Sequence, residues 1–384
     1  MGGARFDVAV VGAGVFGAWI AWHQVRAGRR VLLIDQHGPA NTRASSGGES
    51  RVIRCAYGPD ALYTRMARLS LTQWRELFDQ IARPELFQPT GVLWMAMRGQ
   101  AAAEQSVAAL VDAGVNHDVL DAAALRARYP QIQVPDQGWA IFEPHSGALL
   151  ARRAVQAVVA DACARGAVYR RDQVLPLTAA SCAAGLITRS GARFEAEQIV
   201  YACGPWLDQV LPEAMAGRLF VTRQEVHYFG IPADESRFGP AQLPTWMDFD
   251  GEWYGMPDLE SRGFKLACDR HGPLVDPECQ ERTPTPEGID SARAFLARRF
   301  PALANAPLLG TEVCQYENSS NGDFVIDRHP GLEHVWLAGG GSGHGFKHGP
   351  AVGEYLQRLM AGEIDPEPRF SLASKSTTQQ RAVH

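Results

Sequence analysis

The chain has 384 residues, of which 46% are hydrophobic, and a formal net charge of −5 with a pI near 6.1. That suits one large two-lobed unit or two domains, with apolar residues enough for a sizeable core. The charge forms no basic stripe, which argues against a nucleic-acid partner, and no apolar run approaches the roughly 18 residues of a membrane span. Seven cysteines make an odd number with no metal-type CxxC pair, and the N-terminus reads as entering a strand directly, so that no signal peptide is expected. A reducing, cytoplasmic setting is the reading these features support.

In chain order, Phe6–Val11 (FDVAVV) reads as a buried parallel strand. Gly12-Ala13-Gly14-Val15-Phe16-Gly17 follows at once. Ala18–Arg26 has helical character, Gly28 is its stop, and Arg30–Ile34 is a second strand that ends at Asp35. This is GxGxxG in its required setting of strand, turn, helix, strand and acid. Gly12 permits the tight turn, Gly14 lets the backbone approach a pyrophosphate, and Gly17 lets the helix pack against the sheet. The phosphates would sit on the N–H groups of the helix N-terminus, and Asp35 would accept from a ribose. The motif alone does not separate NAD from FAD.

Further along, Ala61–Asp79 reads as an amphipathic helix and Gln88–Met97 as a strand. Gln100–Tyr129 carries two Ala-rich helical patterns stopped by Pro130. Ala151–Arg165 is another helix, and Ala196–Cys203 is an apolar strand running into Gly204, as if the main sheet resumes there. Residues 218–320 are rich in aromatic and turn residues, with strand character at Gln224–Phe229 and Glu252–Gly255. Asp290–Arg299 is helical, Val335–Ala338 is the last strand and Gly353–Met360 the last helix. The polar tail Ser371–His384 reads as mobile. The pattern is a nucleotide-binding lobe assembled from separated segments and interleaved with a second lobe.

Several residues invite chemistry. Arg51, Arg54 and Tyr57 are spaced to line one side of a pocket, and the planar arginine fork suits a carboxylate. Their spacing leaves a solvated surface loop equally open. Lys265 stands in the apolar run Gly263–Ala267, where an inward lysine needs a partner or a task; alone it also fits an exposed edge. Cys314, in Thr311–Tyr316, alone reads as a small core residue. The stretch Ala338–Gly349, AGGGSGHGFKHG, packs six glycines with His344, Lys347 and His348. Its backbone N–H groups can hold an anion, and Lys347 adds a full charge. Two glycine-rich turns at opposite ends of one chain suggest one large cofactor gripped from both sides, a flavin rather than a nicotinamide.

These pieces in this order resemble the monomeric sarcosine oxidase and N-methyltryptophan oxidase family, D-amino-acid-oxidase-type flavoproteins. The resemblance runs from Phe6 to about Phe370 and is carried by GAGVFG, RVIRCAYG, WYGMP, GFKL, the Cys314 segment through Asp327, and SGHGFK. It implies a glutathione-reductase-like, Rossmann-type FAD-binding domain made of residues 1–85, 148–215 and 322–384. An interleaved antiparallel-sheet substrate domain would comprise residues 86–147 and 216–321. It implies an FAD-dependent oxidase of a secondary amine bearing a carboxylate, with O2 reduced to H2O2, acting as a monomer; the rival is an FAD dehydrogenase that hands electrons to a carrier.

Residue by residue, the resemblance implies a thioether from Cys314 to the flavin. Lys265 would sit near flavin N5 through a water and promote the reaction with oxygen, with Arg51 close by. Arg54 and Lys347 would bind the substrate carboxylate, and Tyr254 would wall the substrate. Gly343 and His344 would lie beside the flavin ring, His344 against the amine. Ser45, Gly341 and Lys347 would also contact the cofactor, and Val174 would touch its adenine region. One departure stands out: Asp269 occupies a position where the family commonly has histidine. Gly47 and Cys55 also stand where imidazoles are frequent. An anionic Asp269 suggests a larger amine, or one with a second positive group, with Thr245 and Trp246 as neighbours in the pocket.

Overall fold

A computed structural model describes residues 5–177, 185–248 and 252–380. Its seven-stranded sheet is ordered Val325–His329, Leu332–Gly339, Arg193–Tyr201, Arg5–Val11, Val31–Asp35, Val168–Arg171, with Leu186–Ile187 paired onto Arg193–Tyr201. From Leu332–Gly339 to Val168–Arg171 the neighbours are parallel; Val325–His329 adds an antiparallel edge. Buried on both faces, these strands read as continuous Val, Ile and Leu runs, which made them legible in sequence.

The first helix, Val15–Arg26, begins directly after Gly14. It packs between Ala151–Ala164 and Gly349–Met360. Ala18 and Ala21 are fully buried and let its neighbours close in, while Trp19 fills the junction edge-on to Trp74 at 4.9 Å. Truncating such a buried tryptophan costs about 3–5 kcal/mol.

The second sheet has eight strands, ordered Leu308–Ser319, Leu219–Phe229, Phe264–Cys268, Trp253–Met256, Thr245–Asp248, Val92–Met97, Gly138–Glu143, Asp118–Asp121. All its pairs are antiparallel except Thr245–Asp248 with Val92–Met97. One face packs on the helix Pro286–Arg299 through Trp246, Phe264, Phe295 and Phe300. The other face turns toward the first lobe.

Three sequence expectations change. The run Gln88–Met97 is divided: Phe87–Gln88 joins a small three-stranded sheet with Arg51–Ile53 and Gly147–Leu149, and Val92–Met97 joins the large one. Gly91, at φ +70°, makes the turn between them. Leu308–Ser319, unforeseen as a strand, is the longest of the sheet at 12 residues. The expected mobile tail is fastened as far as it is described. Lys375 Nζ donates to Asn321 at 3.1 Å, the Ser376 N–H to Ser320 Oγ at 2.9 Å, and the Gln380 N–H to the Ser320 carbonyl at 2.8 Å. Residues 381–384 lie outside the described residues. No described helix is long and apolar enough to cross a membrane.

Candidate active site

A cavity of about 1380 Å3, counted out to its mouth, runs between the two sheets. At one end stands the Gly12–Gly17 turn. Gly12 adopts φ +104°, and a Cβ there would lie 2.3 Å from the Ala202 carbonyl oxygen; a Cβ on Gly17 would lie 1.8 Å from the Gly12 oxygen. Only glycine allows this turn, which opens the helix N-terminus toward the cavity. Gly12, Gly14, Asp35, Ser45 and Val174 line it; Gly17 serves the turn from behind. Asp35 accepts from the Ala13, His37 and Gly38 N–H groups at 2.7–2.8 Å. Its two oxygens have capacity for a further donor.

At the other end the cavity reaches Arg51, Tyr316, Gly341, Gly343 and Phe346. Arg51 donates to the Ser50 carbonyl at 2.8 Å and the Ser45 carbonyl at 2.7 Å, with its guanidinium 3.7 Å from Cys314 Sγ. Cys314 therefore stands on Leu308–Ser319 beside the cavity, not in an apolar core. Lys265, 2% exposed, donates to the Ser50 carbonyl at 2.7 Å and to Ser50 Oγ at 3.1 Å. Burial, then the Arg51 charge, push its ammonium down to about 7. It does not line the large cavity but touches a small separate one with Tyr228 and Met256.

Arg54 and Lys347 come together through Tyr57. Arg54 is 3% exposed, with its guanidinium between the rings of Tyr57 at 4.4 Å and Trp94 at 4.1 Å. Lys347 donates to the Tyr57 hydroxyl at 2.8 Å and to the His344 carbonyl at 3.1 Å. Burial and the Arg54 charge hold its ammonium well below the usual lysine range. The Trp74 indole N–H fixes the loop by donating to the Lys347 carbonyl at 3.0 Å.

Across from these cations stands a phenol pair. The Tyr254 and Tyr316 hydroxyls lie 3.4 Å apart, and Tyr316 donates to Asp269 at 2.9 Å. Burial raises the Asp269 carboxyl above its ordinary range, against the pull of the Tyr316 bond and of the Arg54 and Lys347 charges.

Three expected placements change: Lys347, expected also at the cofactor, does not line the cavity. His344 does not line the cavity: its Nδ1 meets the Tyr57 hydroxyl at 3.1 Å, its Nε2 meets the Gly322 carbonyl at 3.1 Å, and its ring stacks on Phe324. It stands behind Lys347, whose ammonium donates to its carbonyl. Trp246 is fully buried on the far face of the sheet, stacked on Phe264 and Phe295. Strand alternation gives the reason: Trp246 pairs with Leu93 on the helix-packed face, while Met247 pairs with Trp94 on the cavity-side face. Thr245, also on that side, bonds Thr90 at 2.9 Å.

Sequence reasoning passed over Glu317 and gave no role to Ser50 or His348. Glu317 is 7% exposed, lines the cavity between its two glycine-rich ends, and accepts from the Gly341 N–H at 3.1 Å. Its other oxygen has no partner among the described residues, and burial pushes the carboxyl up to about 7. Its signal was an acid between Tyr316 and Asn318, the second in the run after Glu312.

The cavity fits a flavin dinucleotide. It joins a phosphate-type helix N-terminus to a polar, cation-flanked end, and the Glu317 oxygen between them needs a donor such as a ribityl hydroxyl. Among the described residues no cluster of His, Cys, Asp and Glu could hold a metal ion.

Comparison with known proteins agrees. The model of the family described as "DAO: FAD dependent oxidoreductase" matches residues 7–359. The chain is 33% identical to monomeric sarcosine oxidase of Bacillus sp. (strain B-0618) over 366 residues, 92% of each chain. It is 27% identical to N-methyl-L-tryptophan oxidase of Citrobacter koseri, covering 96% of this chain and 97% of that one. Among solved structures, L-proline dehydrogenase from P. horikoshii superposes with a TM-score of 0.82 at 19% identity, over 96% of this chain and 97% of that one, a likeness of fold alone. The dinucleotide turn, the cavity between two sheets and the matched family together place this chain in the DAO family of FAD-dependent oxidoreductases, among relatives of monomeric sarcosine oxidase.

Proposed function

We propose that the chain is an FAD-dependent oxidase of a secondary amine carrying a carboxylate, an N-methyl amino acid or a cyclic imino acid. The amine becomes an imine that hydrolyses, and O2 becomes H2O2. The observation that carries this reading is the pair of buried cations, Arg54 and Lys347, joined at Tyr57 beside the flavin end of the cavity. Two buried like charges are costly unless anions meet them; Asp269 and Glu143 lie within their field, and a substrate carboxylate adds a direct partner. The relatives named as oxidases of sarcosine and N-methyl-L-tryptophan support that substrate class.

FAD, when bound, takes two electrons from the amine carbon and delivers them to oxygen. The protein binds, orients and holds charge. Arg54 and Lys347 fix the carboxylate and so place the amine end over the reacting face. The Tyr254–Tyr316 pair walls the substrate and excludes water. Lys265, anchored by Ser50, sets a positive charge where negative charge develops on dioxygen. Cys314 would form the thioether link to the cofactor, with Arg51 beside it to hold the group. Ser45, Val174, Gly341 and Gly343 complete the cofactor's walls.

Asp269 sets substrate choice. Beside Tyr316 and facing two cations, it suits an amine with a second positive group better than a small neutral one. A panel of N-alkyl amino acids, assayed for peroxide in air and for dye reduction under nitrogen, tests both readings. Peroxide from carboxylated secondary amines supports the oxidase; reduction of dye alone gives the carrier-linked dehydrogenase. Sarcosine turned over better than bulky or dibasic substrates would remove the role assigned to Asp269.

A further inference from the structure

We propose that Tyr57 is a positioning residue for carboxylate recognition, fixing the Lys347 ammonium and linking its proton to His344 and His348. The proposal rests on the reading of Arg54 and Lys347 as the carboxylate site.

Three basic groups converge on one phenol oxygen. Lys347 Nζ lies 2.8 Å from it, His344 Nδ1 3.1 Å and His348 Nε2 2.7 Å. Their directions follow from donor capacity. The Gly322 carbonyl can only accept, so His344 Nε2 carries a proton, and the neutral ring presents a bare Nδ1. That nitrogen takes the Tyr57 proton. The phenol oxygen then turns its lone pairs to Lys347 and to an Nε2–H of His348. An ammonium has only donors, so a lone pair aimed at it is the arrangement that holds it.

Lys347 thus spends two of its three N–H bonds, on Tyr57 and on the His344 carbonyl, and the third is available to a carboxylate. The rings around the phenol are fixed in turn. His344 stacks on Phe324 at 5.0 Å, and Tyr57 stacks on Tyr63 at 5.4 Å. The Tyr63 hydroxyl is itself anchored on Asp323 at 3.1 Å.

The same contacts form a proton path that balances. Lys347 gives a proton to the Tyr57 oxygen while the Tyr57 proton passes to His344 Nδ1. Lysine ends neutral, imidazole ends cationic, and tyrosine is unchanged. Arg54, Asp269, Cys55 and Glu143 set the field at Lys347, and Tyr63, Asp323 and Arg369 stand beyond the imidazoles.

The test uses flavin-loaded enzyme and propionate as the probe, followed by perturbation of the flavin absorbance across neutral and alkaline pH. Tyr57→Phe is expected to weaken propionate roughly tenfold and to move the alkaline loss of binding to lower pH. With an N-alkyl amine that lacks a carboxylate, N-methylbenzylamine, Tyr57→Phe is expected to match the parent. Lys347→Met is the reference for the carboxylate site. If Lys347→Met weakens propionate and Tyr57→Phe binds it as the parent does, with the same alkaline limb, the proposal is wrong while the carboxylate site stands. If Lys347→Met leaves propionate binding untouched, the site reading fails and takes the proposal with it. Equal losses toward propionate and N-methylbenzylamine in Tyr57→Phe would mark a packing fault and overturn the proposal.

Discussion

Lys265 Nζ donates to the Ser50 carbonyl oxygen at 2.7 Å across 215 positions of sequence. The bond joins the eight-stranded sheet to the segment that precedes Arg51–Ile53, so one lysine ties that sheet to the loop running into Arg51. Its ammonium is buried, lowered to about 7, and within the field of Arg51.

That placement predicts a separation of the two half-reactions. Lys265→Met keeps the bulk and removes the charge. Reduction of the flavin by amine under nitrogen should stay within a few-fold of the parent. Reoxidation on mixing with air-saturated buffer should slow by roughly 10²–10³-fold. Stopped-flow absorbance measures both, and equal slowing of the two phases would show that Lys265 has no particular part in the oxygen step.

The Arg51 guanidinium at 3.7 Å from Cys314 Sγ predicts where the yellow colour goes on acid denaturation. Parent enzyme should carry flavin into the precipitate, and Cys314→Ser should release it to the supernatant. Colour in the supernatant from the parent would rule out the thioether.

Asp269 predicts a specificity change. Asp269→Asn removes the charge while keeping a side chain that can meet Tyr316. kcat/KM for a dibasic N-methyl amino acid should fall roughly tenfold relative to a neutral one of similar size. An unchanged ratio in a substrate panel would free Asp269 of this role.

Glu317 predicts a pH dependence of the flavin-free protein. Its carboxyl is raised from 4.5 to about 7 by burial. A raised folded-state value means stability is fully present below the unfolded value and is lost as pH climbs through the folded one. Apoprotein from flavin-depleted expression should therefore lose stability from pH 4.5 to about 7 and then level off. Glu317→Gln should flatten that part of the curve. Urea midpoints across this window check it, and parallel curves for the two proteins would contradict the assignment.

What was legible in sequence was what short-range physics writes there. The Gly12–Asp35 unit is local, with a strand, a steric turn, a helix and a second strand in about 30 residues, and the structure reproduces it. Leu308–Ser319 was illegible as a strand because its cavity-side residues, Gln315 and Glu317 among them, are polar where a packed strand would be apolar. Trp246 was misplaced by one step of strand alternation, which sequence cannot register without knowing the partner strand.

The Gly-rich stretch showed its charges but not their order in space. His344 and Lys347 lie three positions apart, and the short helical turn at Phe346–His348 puts the imidazoles behind the ammonium. Tyr57 stood in view beside Arg54, yet its role depends on residues nearly 300 positions away. The tail read as mobile because it is polar; its hydrogen bonds to Ser320 and Asn321 hold it instead.

The most direct test of the account counts peroxide. Purified holoenzyme is given an N-methyl amino acid or a cyclic imino acid in air, and amine consumed is measured against H2O2 formed. The account predicts equal amounts, with turnover that depends on the substrate carboxylate. Amine consumption only when a dye or carrier is supplied, with no peroxide in air, would contradict it.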